Sequence, residues 1–200
     1  MAEIFNTYLG CLEAPRFSII EHGVSKGLPA LVIKCAPNKT GANFKIAMLL
    51  EKLKASLHNH IVFAGNKPTT QGNLNEVLRL FDIGRMRAHV VCGLDEQIVN
   101  ILGFKNIDFY ITAVVPSTGD VSTNDFSPLK FLQAKDTVVF PVSNKVDYDY
   151  ILSILKVYPV RCNVELKPTA KFREDFEDMF IDDKELFAIF KDVDRIRVVN

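Results

Sequence analysis

The chain alternates short β-branched runs with longer segments of helical period, and this alternation constrains its fold more than any other sequence feature. Pro29–Cys35 is a largely apolar run typical of a buried strand, and Ala42–Leu57 carries apolar residues at helical spacing. His60–Gly65 repeats the strand, and Asn73–Phe81 repeats the helix. A strand followed by a covering helix, then repeated, predicts parallel strands in an α/β fold.

The same pattern continues along the rest of the chain. Further strands are predicted at Ala88–Cys92, Phe109–Val115, Thr137–Val142, Cys162–Leu166 and Arg195–Val199. Further helices are predicted at Asp95–Leu102, Pro128–Gln133, Tyr148–Val157 and Lys171–Lys191. We expect one α/β domain over residues 1–200, with 1–16 as an N-terminal extension and 171–200 as a terminal helix and strand. Seven strand residues are expected in its core: Leu31, Ile33, Val62, Val90, Ile111, Val139 and Val164.

Charge and cysteine content narrow the cellular setting. The chain has 24 Lys and Arg against 24 Asp and Glu, with no basic run, so it lacks the signal of a nucleic-acid-binding protein. No apolar stretch has the length of a membrane span. The four cysteines are far apart and lie mostly in apolar runs, which favours buried thiols in a reducing compartment over a disulfide framework. We therefore expect a cytoplasmic protein without a membrane partner.

Common catalytic signatures are absent from the sequence. There is no Gly-x-Ser-x-Gly turn, no phosphate-binding P-loop and no Gly-x-Gly-x-x-Gly fingerprint. The longest predicted loop, 116–126, is rich in Ser, Thr, Gly, Asp and Asn, and it follows a strand. In parallel α/β folds, the loops at the carboxyl ends of the strands form the ligand site. We therefore expect any ligand at that end of the sheet.

Two segments resemble a known family. Phe17–Lys34 is similar to the opening strand, the Gln-Gly-Glu-Gly turn and the first barrel strand of the 7-carboxy-7-deazaguanine synthases, with Glu21 and Gly23 fitting the turn. Gly65-Asn66-Lys67-Pro68 resembles their Gly-Gly-Glu-Pro motif at two of its four positions. These radical S-adenosylmethionine enzymes act on a pterin to make the precursor of queuosine-type bases. The resemblance implies an incomplete (β/α) barrel with parallel strands.

The departures from that family concern its cofactor site. The family holds a [4Fe-4S] cluster with three closely spaced cysteines after the first strand. In this chain, the corresponding residues 35–44 contain a single cysteine, Cys35. The family's motif glutamate helps to hold the ammonium of S-adenosylmethionine, and Lys67 stands in its place and would repel that group. We therefore expect a degenerate site that binds no iron–sulfur cluster and no zinc.

The resemblance and the βα pattern together select the candidate ligand contacts. The cation of Lys67, with neighbouring hydroxyl groups, suits phosphate or carboxylate. His22 adjoins the turn glutamate and is a further candidate. The expected contact residues are Glu21, His22, Lys39, Lys67, Thr69 and Ser117. His58 and His60 have no third ligand at a fixed spacing, so we expect a surface pair at the amino end of their strand rather than a metal site.

Three functions are consistent with these features. The first is a non-catalytic or repurposed radical-SAM-like protein that binds a purine-, pterin- or nucleotide-like anionic ligand and needs no cofactor. The second is an active 7-carboxy-7-deazaguanine synthase-like enzyme that uses S-adenosylmethionine and a [4Fe-4S] cluster with unusual ligation. The third is a protein–protein interaction module or homodimer that uses the aromatic helix 171–191, although those aromatic residues also suit core packing.

Overall fold

The computed structural model forms two compact units. The first contains residues 1–92 and 96–110, and the second contains residues 93–95 and 111–200. The structure describes residues 8–36, 42–56, 59–65, 67–84, 86–94, 98, 102–189 and 195–199. The predicted helix Asp95–Leu102 lies largely outside these residues.

The first unit contains a mixed sheet in which the predicted βα alternation is confirmed. Its strands are β1 (Tyr8–Cys11), β2 (Arg16–Ile19), β3 (Pro29–Cys35), β4 (Ala42–Lys45), β5 (His60–Gly65), β6 (Arg87–Gly93) and β7 (Ile107–Thr112). The last residue of β6 and the last two residues of β7 belong to the second unit. The order is β7-β6-β5-β3-β1-β4, and β2 also pairs with β3. β3, β5 and β6 pair in parallel, whereas β1, β2 and β4 add antiparallel pairs.

Two helices of the first unit are amphipathic and bury one face each. They are α1 (Ile46–Lys54) and α2 (Leu74–Ile83). Four apolar residues at helical spacing are buried on each helix: Ile46, Leu49, Leu50 and Leu53 on α1, and Leu74, Val77, Leu78 and Phe81 on α2. Phe81 packs edge-on against Phe63 of β5, with ring centroids 6.0 Å apart. α2 therefore covers the strand that precedes it, as a βα unit requires.

The segment Ala42–Lys45 is a strand, so the prediction of a helix beginning at Ala42 is wrong at its start. These four residues pair antiparallel with β1, from Cys11 opposite Ala42 to Tyr8 opposite Lys45. The Lys45 ammonium lies 5.6 Å from the centre of the Tyr8 ring. Pairing with a distant segment outweighs the local helical spacing, and β1 places part of the predicted extension 1–16 in the sheet.

The described part of the second unit contains parallel strands and three α-helices. The strands β8 (Thr137–Val142), β9 (Asn163–Pro168) and β10 (Ile196–Val198) lie in the order β10-β9-β8. α3 (Lys145–Val157) connects β8 to β9, and α4 (Arg173–Asp182) and α5 (Lys184–Ile189) connect β9 to β10. α3 begins where the Asn144 side chain accepts a hydrogen bond from the Asp147 N–H group at 3.0 Å.

The predicted helix Lys171–Lys191 is interrupted at Asp183. The Asp183 carboxylate accepts a hydrogen bond from the Leu186 N–H group at 2.9 Å, which caps α5, and another from the Tyr148 hydroxyl at 2.7 Å. Phe176 of α4 is fully buried and packs edge-on against Tyr148. Part of the aromatic face therefore packs inside its own unit.

The burial pattern confirms the predicted core. All seven strand residues expected there are buried, and none is more than 6% exposed: Leu31, Ile33, Val62, Val90, Ile111, Val139 and Val164. The fold is mixed α/β with mostly parallel strands, and the described strands of each unit form an open sheet rather than a closed barrel. Across the described residues, no helix combines the length and the apolar character that a membrane crossing requires.

Candidate functional site

The turn after β5 holds the backbone in conformations that few residues adopt. Gly65 has a φ of 113°, and a Cβ atom at this position would lie 2.5 Å from the Cys35 carbonyl oxygen. Lys67 has a φ of 51°, the one positive value among the described non-glycine residues. Its carbonyl oxygen accepts hydrogen bonds from the Thr70 N–H group at 3.1 Å and the Thr70 hydroxyl at 2.7 Å. Strained turns of this kind are typical of binding sites.

This turn places two of the predicted contact residues at the carboxyl end of β5. Lys67 is exposed and Thr69 is half-buried. Both lie at the strand end where a ligand is expected, and their contact with a ligand stays a prediction. Lys39, the third residue predicted at these strand ends, lies outside the described residues.

Gln71 joins this turn to β1 and β3. Its side-chain amide donates hydrogen bonds to the carbonyl oxygens of Gly10 at 2.7 Å and Ala36 at 2.8 Å, and its carbonyl oxygen accepts one from the Gly10 N–H group at 3.2 Å. The side chain is 9% exposed. Gln71 therefore positions the Lys67 turn, and no local signal distinguishes it from any other polar residue in a loop.

The turn between β2 and β3 brings the other two predicted contacts of the first unit together. The Glu21 carboxylate lies 3.9 Å from Nε2 of His22. The His22 ring stacks on the ring of Tyr110, with centroids 4.7 Å apart and an interplanar angle of 19°. Ile20 packs against Ala30 of β3, and Tyr110 belongs to β7. The turn therefore crosses one face of the sheet from β3 to β7.

This side of the sheet, which we name the His22 face, is apolar beside the stacked rings. Three partly buried side chains pack against Ile20 and its buried neighbours: Val32 of β3, Ala64 of β5 and Val91 of β6. The His22 side chain is 38% exposed, whereas Tyr110 is 8% exposed. An exposed imidazole on a buried aromatic ring, next to small apolar side chains, suits a planar heteroaromatic ligand.

A row of ionisable side chains crosses three strands of the first unit. Nδ1 of His60 on β5 lies 2.9 Å from Nε2 of His89 on β6, and Nδ1 of His89 lies 3.4 Å from Oδ2 of Asp108 on β7. His89 is 6% exposed. His60 is half-buried in this row, which differs from the expected surface pair, and His58 lies outside the described residues. The sequence could not reveal the row because its members come from three strands.

Stability should fall in acid because of His89. Burial lowers the pKa of His89 to about 4, with further lowering by His60 and Arg87, and these effects outweigh the Asp108 carboxylate, which favours the charged imidazole. The unfolded state then binds the additional proton between pH 6.5 and 4. The stabilisation is complete above about pH 6.5, and up to about 3 kcal/mol is lost as the pH falls towards 4.

The measurement is urea unfolding from pH 7.5 to pH 4 of the wild type and His89→Gln. Glutamine does not titrate, so the free energy of unfolding of the wild type should fall relative to that of His89→Gln as the pH falls. A difference that stays constant over this range would contradict the assignment.

The described cysteines do not fit an iron–sulfur cluster. Cys35 is fully buried at the end of β3, Cys11 is fully buried opposite it, and Cys92 is 6% exposed on β6. Burial raises the pKa of Cys11 to about 11, whereas cluster ligands are thiolates. Among the described residues, no three His, Cys, Asp or Glu side chains form a group that could hold a metal ion.

Ser117, the remaining predicted contact, lies in the second unit and binds a buried carboxylate. Its N–H group donates to Oδ1 of Asp147 at 2.9 Å, and its hydroxyl donates to Oδ2 at 2.6 Å. The Ser143 N–H group donates to the same Oδ2 at 2.8 Å. Asp147 is fully buried, so this set ties the loop after β7 to the beginning of α3.

The second unit also has a groove of about 370 Å³ beside α3. Its lining is of mixed charge, and it consists of Lys145, Tyr148, Asp149, Leu152, Met179, Asp183 and Lys184. Lys145 and Asp149 form an exposed ion pair at 2.8 Å. Nothing in this lining selects one ligand class.

Comparison with known proteins supports the fold. No protein-family profile matches the sequence, and no curated protein matches it either. The crystal structure of QueE from Escherichia coli superposes with a TM-score of 0.70 over 96% of this chain and 94% of QueE, at 11% sequence identity. This likeness confirms the expected α/β fold with mostly parallel strands and no closed barrel, and at such low identity it concerns the fold alone.

Proposed function

We propose that this protein is a non-catalytic protein with a radical-SAM-like fold. It binds a planar, anionic, purine- or pterin-like ligand on the His22 face. The observation that carries this proposal is the His22 ring, stacked on Tyr110 beside the partly exposed Val32, Ala64 and Val91. A flat heteroaromatic ring gains both stacking on the imidazole and burial on the apolar side chains.

Lys67 supports the anionic character of the ligand. It is exposed in a strained turn at the carboxyl end of β5, and that turn is tied to β1 and β3 through Gln71. A fixed backbone lowers the entropy lost when the lysine side chain contacts a phosphate or carboxylate. Glu21 supplies a carboxylate that accepts N–H donors from the edge of a purine or pterin ring.

The cysteine environment supports a binding role over catalysis. QueE is a 7-carboxy-7-deazaguanine synthase. In this chain, Cys35 at the end of β3 is fully buried, and burial raises the pKa of Cys11, its neighbour across the sheet. Lys67 would also repel the ammonium of S-adenosylmethionine.

The test is isothermal titration with matched ligands: guanosine, guanosine monophosphate, a neutral pterin, a carboxylated pterin and S-adenosylmethionine. We expect the anionic purine or pterin to bind more tightly than its neutral partner. His22→Ala should weaken the binding of the neutral and of the anionic ligand by roughly tenfold, because stacking contributes to the affinity of each. Lys67→Glu should weaken the binding of the anionic ligand by more than roughly fivefold and leave the affinity for the neutral ligand unchanged.

Lys105→Glu is the matched control, because Lys105 is exposed in the loop before β7 of the same unit. It makes the same charge reversal away from the Lys67 turn. If Lys105→Glu and Lys67→Glu weaken the anionic ligand equally, the effect is long-range charge and the proposed contact is wrong. Absence of binding by every ligand in the panel would overturn the proposed function.

The active-enzyme alternative has a separate test. Anaerobic reconstitution with iron and sulfide should leave the protein colourless, and its iron content should stay far below stoichiometric. A brown protein with bound iron and sulfide would replace the non-catalytic proposal with an enzyme of unusual cluster ligation.

A further inference from the structure

Two of the four cysteines face each other across a pair of antiparallel strands. Cys11 ends β1 and Cys35 ends β3, and the two are register partners. Backbone hydrogen bonds flank them on both sides, from the Leu12 N–H group to the Lys34 carbonyl at 2.7 Å and from the Ala36 N–H group to the Gly10 carbonyl at 2.9 Å. This pattern defines a non-hydrogen-bonded pair, in which the Cα atoms lie about 4.5 Å apart.

That geometry suits a disulfide bond. Directly opposed residues of antiparallel strands project their side chains to the same face. The Cα separation of such a pair lies within the range of about 4.4–6.8 Å that disulfides span without backbone movement. Both cysteines are reduced thiols in the structure, and both side chains are fully buried.

The cysteine pair is also connected to the turn that carries Lys67. Gly10 immediately precedes Cys11, and Ala36 immediately follows Cys35. Gln71 bonds to both Gly10 and Ala36 through one side chain. A covalent bond between the two cysteines would therefore restrict the same backbone that Gln71 holds.

We propose that Cys11 and Cys35 form a redox modification site. A small-molecule disulfide such as oxidised glutathione converts the two thiols into an intramolecular disulfide. This bond locks β1 to β3 beside the Gln71 turn. The two cysteines can form this disulfide whether or not the His22 face binds a purine or a pterin.

The reaction is a two-step thiol–disulfide exchange. One cysteine thiolate attacks oxidised glutathione, forms a mixed disulfide and releases a glutathione thiolate, which takes up a proton. The second cysteine thiolate then attacks the protein sulfur of the mixed disulfide and releases the second glutathione. The two cysteines lose two protons and two electrons, and oxidised glutathione gains them as two molecules of reduced glutathione.

Burial determines the rate of this reaction. Because burial raises the pKa of Cys11 to about 11, few molecules hold a thiolate there at neutral pH. Oxidation of the folded protein should therefore be slow at pH 7 and should accelerate as the pH rises towards 9. The equilibrium is measured by refolding the chain in the same buffer, since unfolding exposes both thiols.

The experiment uses the full chain, refolded from urea in glutathione buffers of graded ratio, blocked with N-ethylmaleimide and digested with trypsin without reduction. Cleavage after Arg16, Lys34 and Lys39 places Cys11 in peptide 1–16 and Cys35 in peptide 35–39. These two peptides stay joined only through a disulfide. Mass spectrometry then gives the fraction of joined peptides at each ratio.

We expect the joined peptide to be the dominant disulfide product, and Cys92→Ala and Cys162→Ala to retain it. Cys11→Ala and Cys35→Ala should abolish it. Oxidation should raise the melting temperature of the wild type by roughly 5 °C and leave that of Cys35→Ala unchanged. Hydrogen exchange should slow in peptides that contain Gly10, Ala36 and the 65–73 turn.

The wild-type peptide map shows whether Cys11 and Cys35 form a disulfide even if a variant fails to fold. Recovery of both peptides as alkylated thiols at the most oxidising ratio would overturn the proposal. Equal amounts of joined peptides from other cysteine pairs would also overturn it, because such a result indicates random oxidation. Joined peptides without the slower exchange around Gln71 would refute the predicted effect on the turn.

Discussion

Gly65→Ala is expected to lower the free energy of unfolding by about 3 kcal/mol. The added Cβ atom would lie 2.5 Å from the Cys35 carbonyl oxygen and 2.9 Å from the Cys35 backbone nitrogen. Neither backbone atom can move without disturbing the parallel pairing of β3 with β5. The φ of 113° adds strain, because L side chains rarely adopt that conformation.

The measurement is equilibrium unfolding in urea, with Gly72→Ala as the matched control. Gly72 lies seven residues further along, and a Cβ atom there would meet nothing within 4 Å. The control should change stability by less than about 0.5 kcal/mol. If the two variants have the same midpoint and slope, the close approach of Gly65 to Cys35 does not exist in solution.

The second large effect is expected at Asp147 in the other unit. Its fully buried carboxylate accepts three hydrogen bonds, from the Ser117 N–H group, the Ser117 hydroxyl and the Ser143 N–H group. Asp147→Asn keeps the shape of the side chain but turns one acceptor into a donor that faces another donor. We expect a loss of about 3 kcal/mol in the free energy of unfolding.

Asp149→Asn is the control for this prediction. Asp149 lies on the same helix but is exposed, and its carboxylate pairs with Lys145 at the surface. Its replacement should cost less than about 0.5 kcal/mol. Chemical denaturation of both variants at pH 7 provides the comparison, and equal losses would show that the buried network around Asp147 contributes nothing special.

Much of the fold follows from local patterns in the sequence. The bounds of β3, β5 and β8 agree with the apolar runs that predicted them. Their burial follows from the same runs, because a β-branched apolar segment is stable only where a helix or another strand covers it. The position of Lys67 at a strand end was equally predictable, since β5 ends at Gly65 and the chain must turn there.

Other features depend on partners that are distant in sequence. Ala42–Lys45 carries a helical pattern, yet it becomes a strand because β1 offers backbone hydrogen bonds. The row of His60, His89 and Asp108 forms because the neighbouring strands β5, β6 and β7 bring these side chains together. A periodic pattern contains information about the face of an element, but none about which segment will lie beside it.

The candidate site shows the same division. The sequence by itself determined the βα alternation, the buried strands and the departure of Lys67 and Cys35 from the related motifs. Only the tertiary structure decided that His22 stacks on Tyr110, that Gln71 joins Gly10 to Ala36, and that Cys11 faces Cys35. The physical reason is that these contacts join side chains and backbone groups 24 to 88 residues apart, and such contacts form only when the whole sheet has assembled.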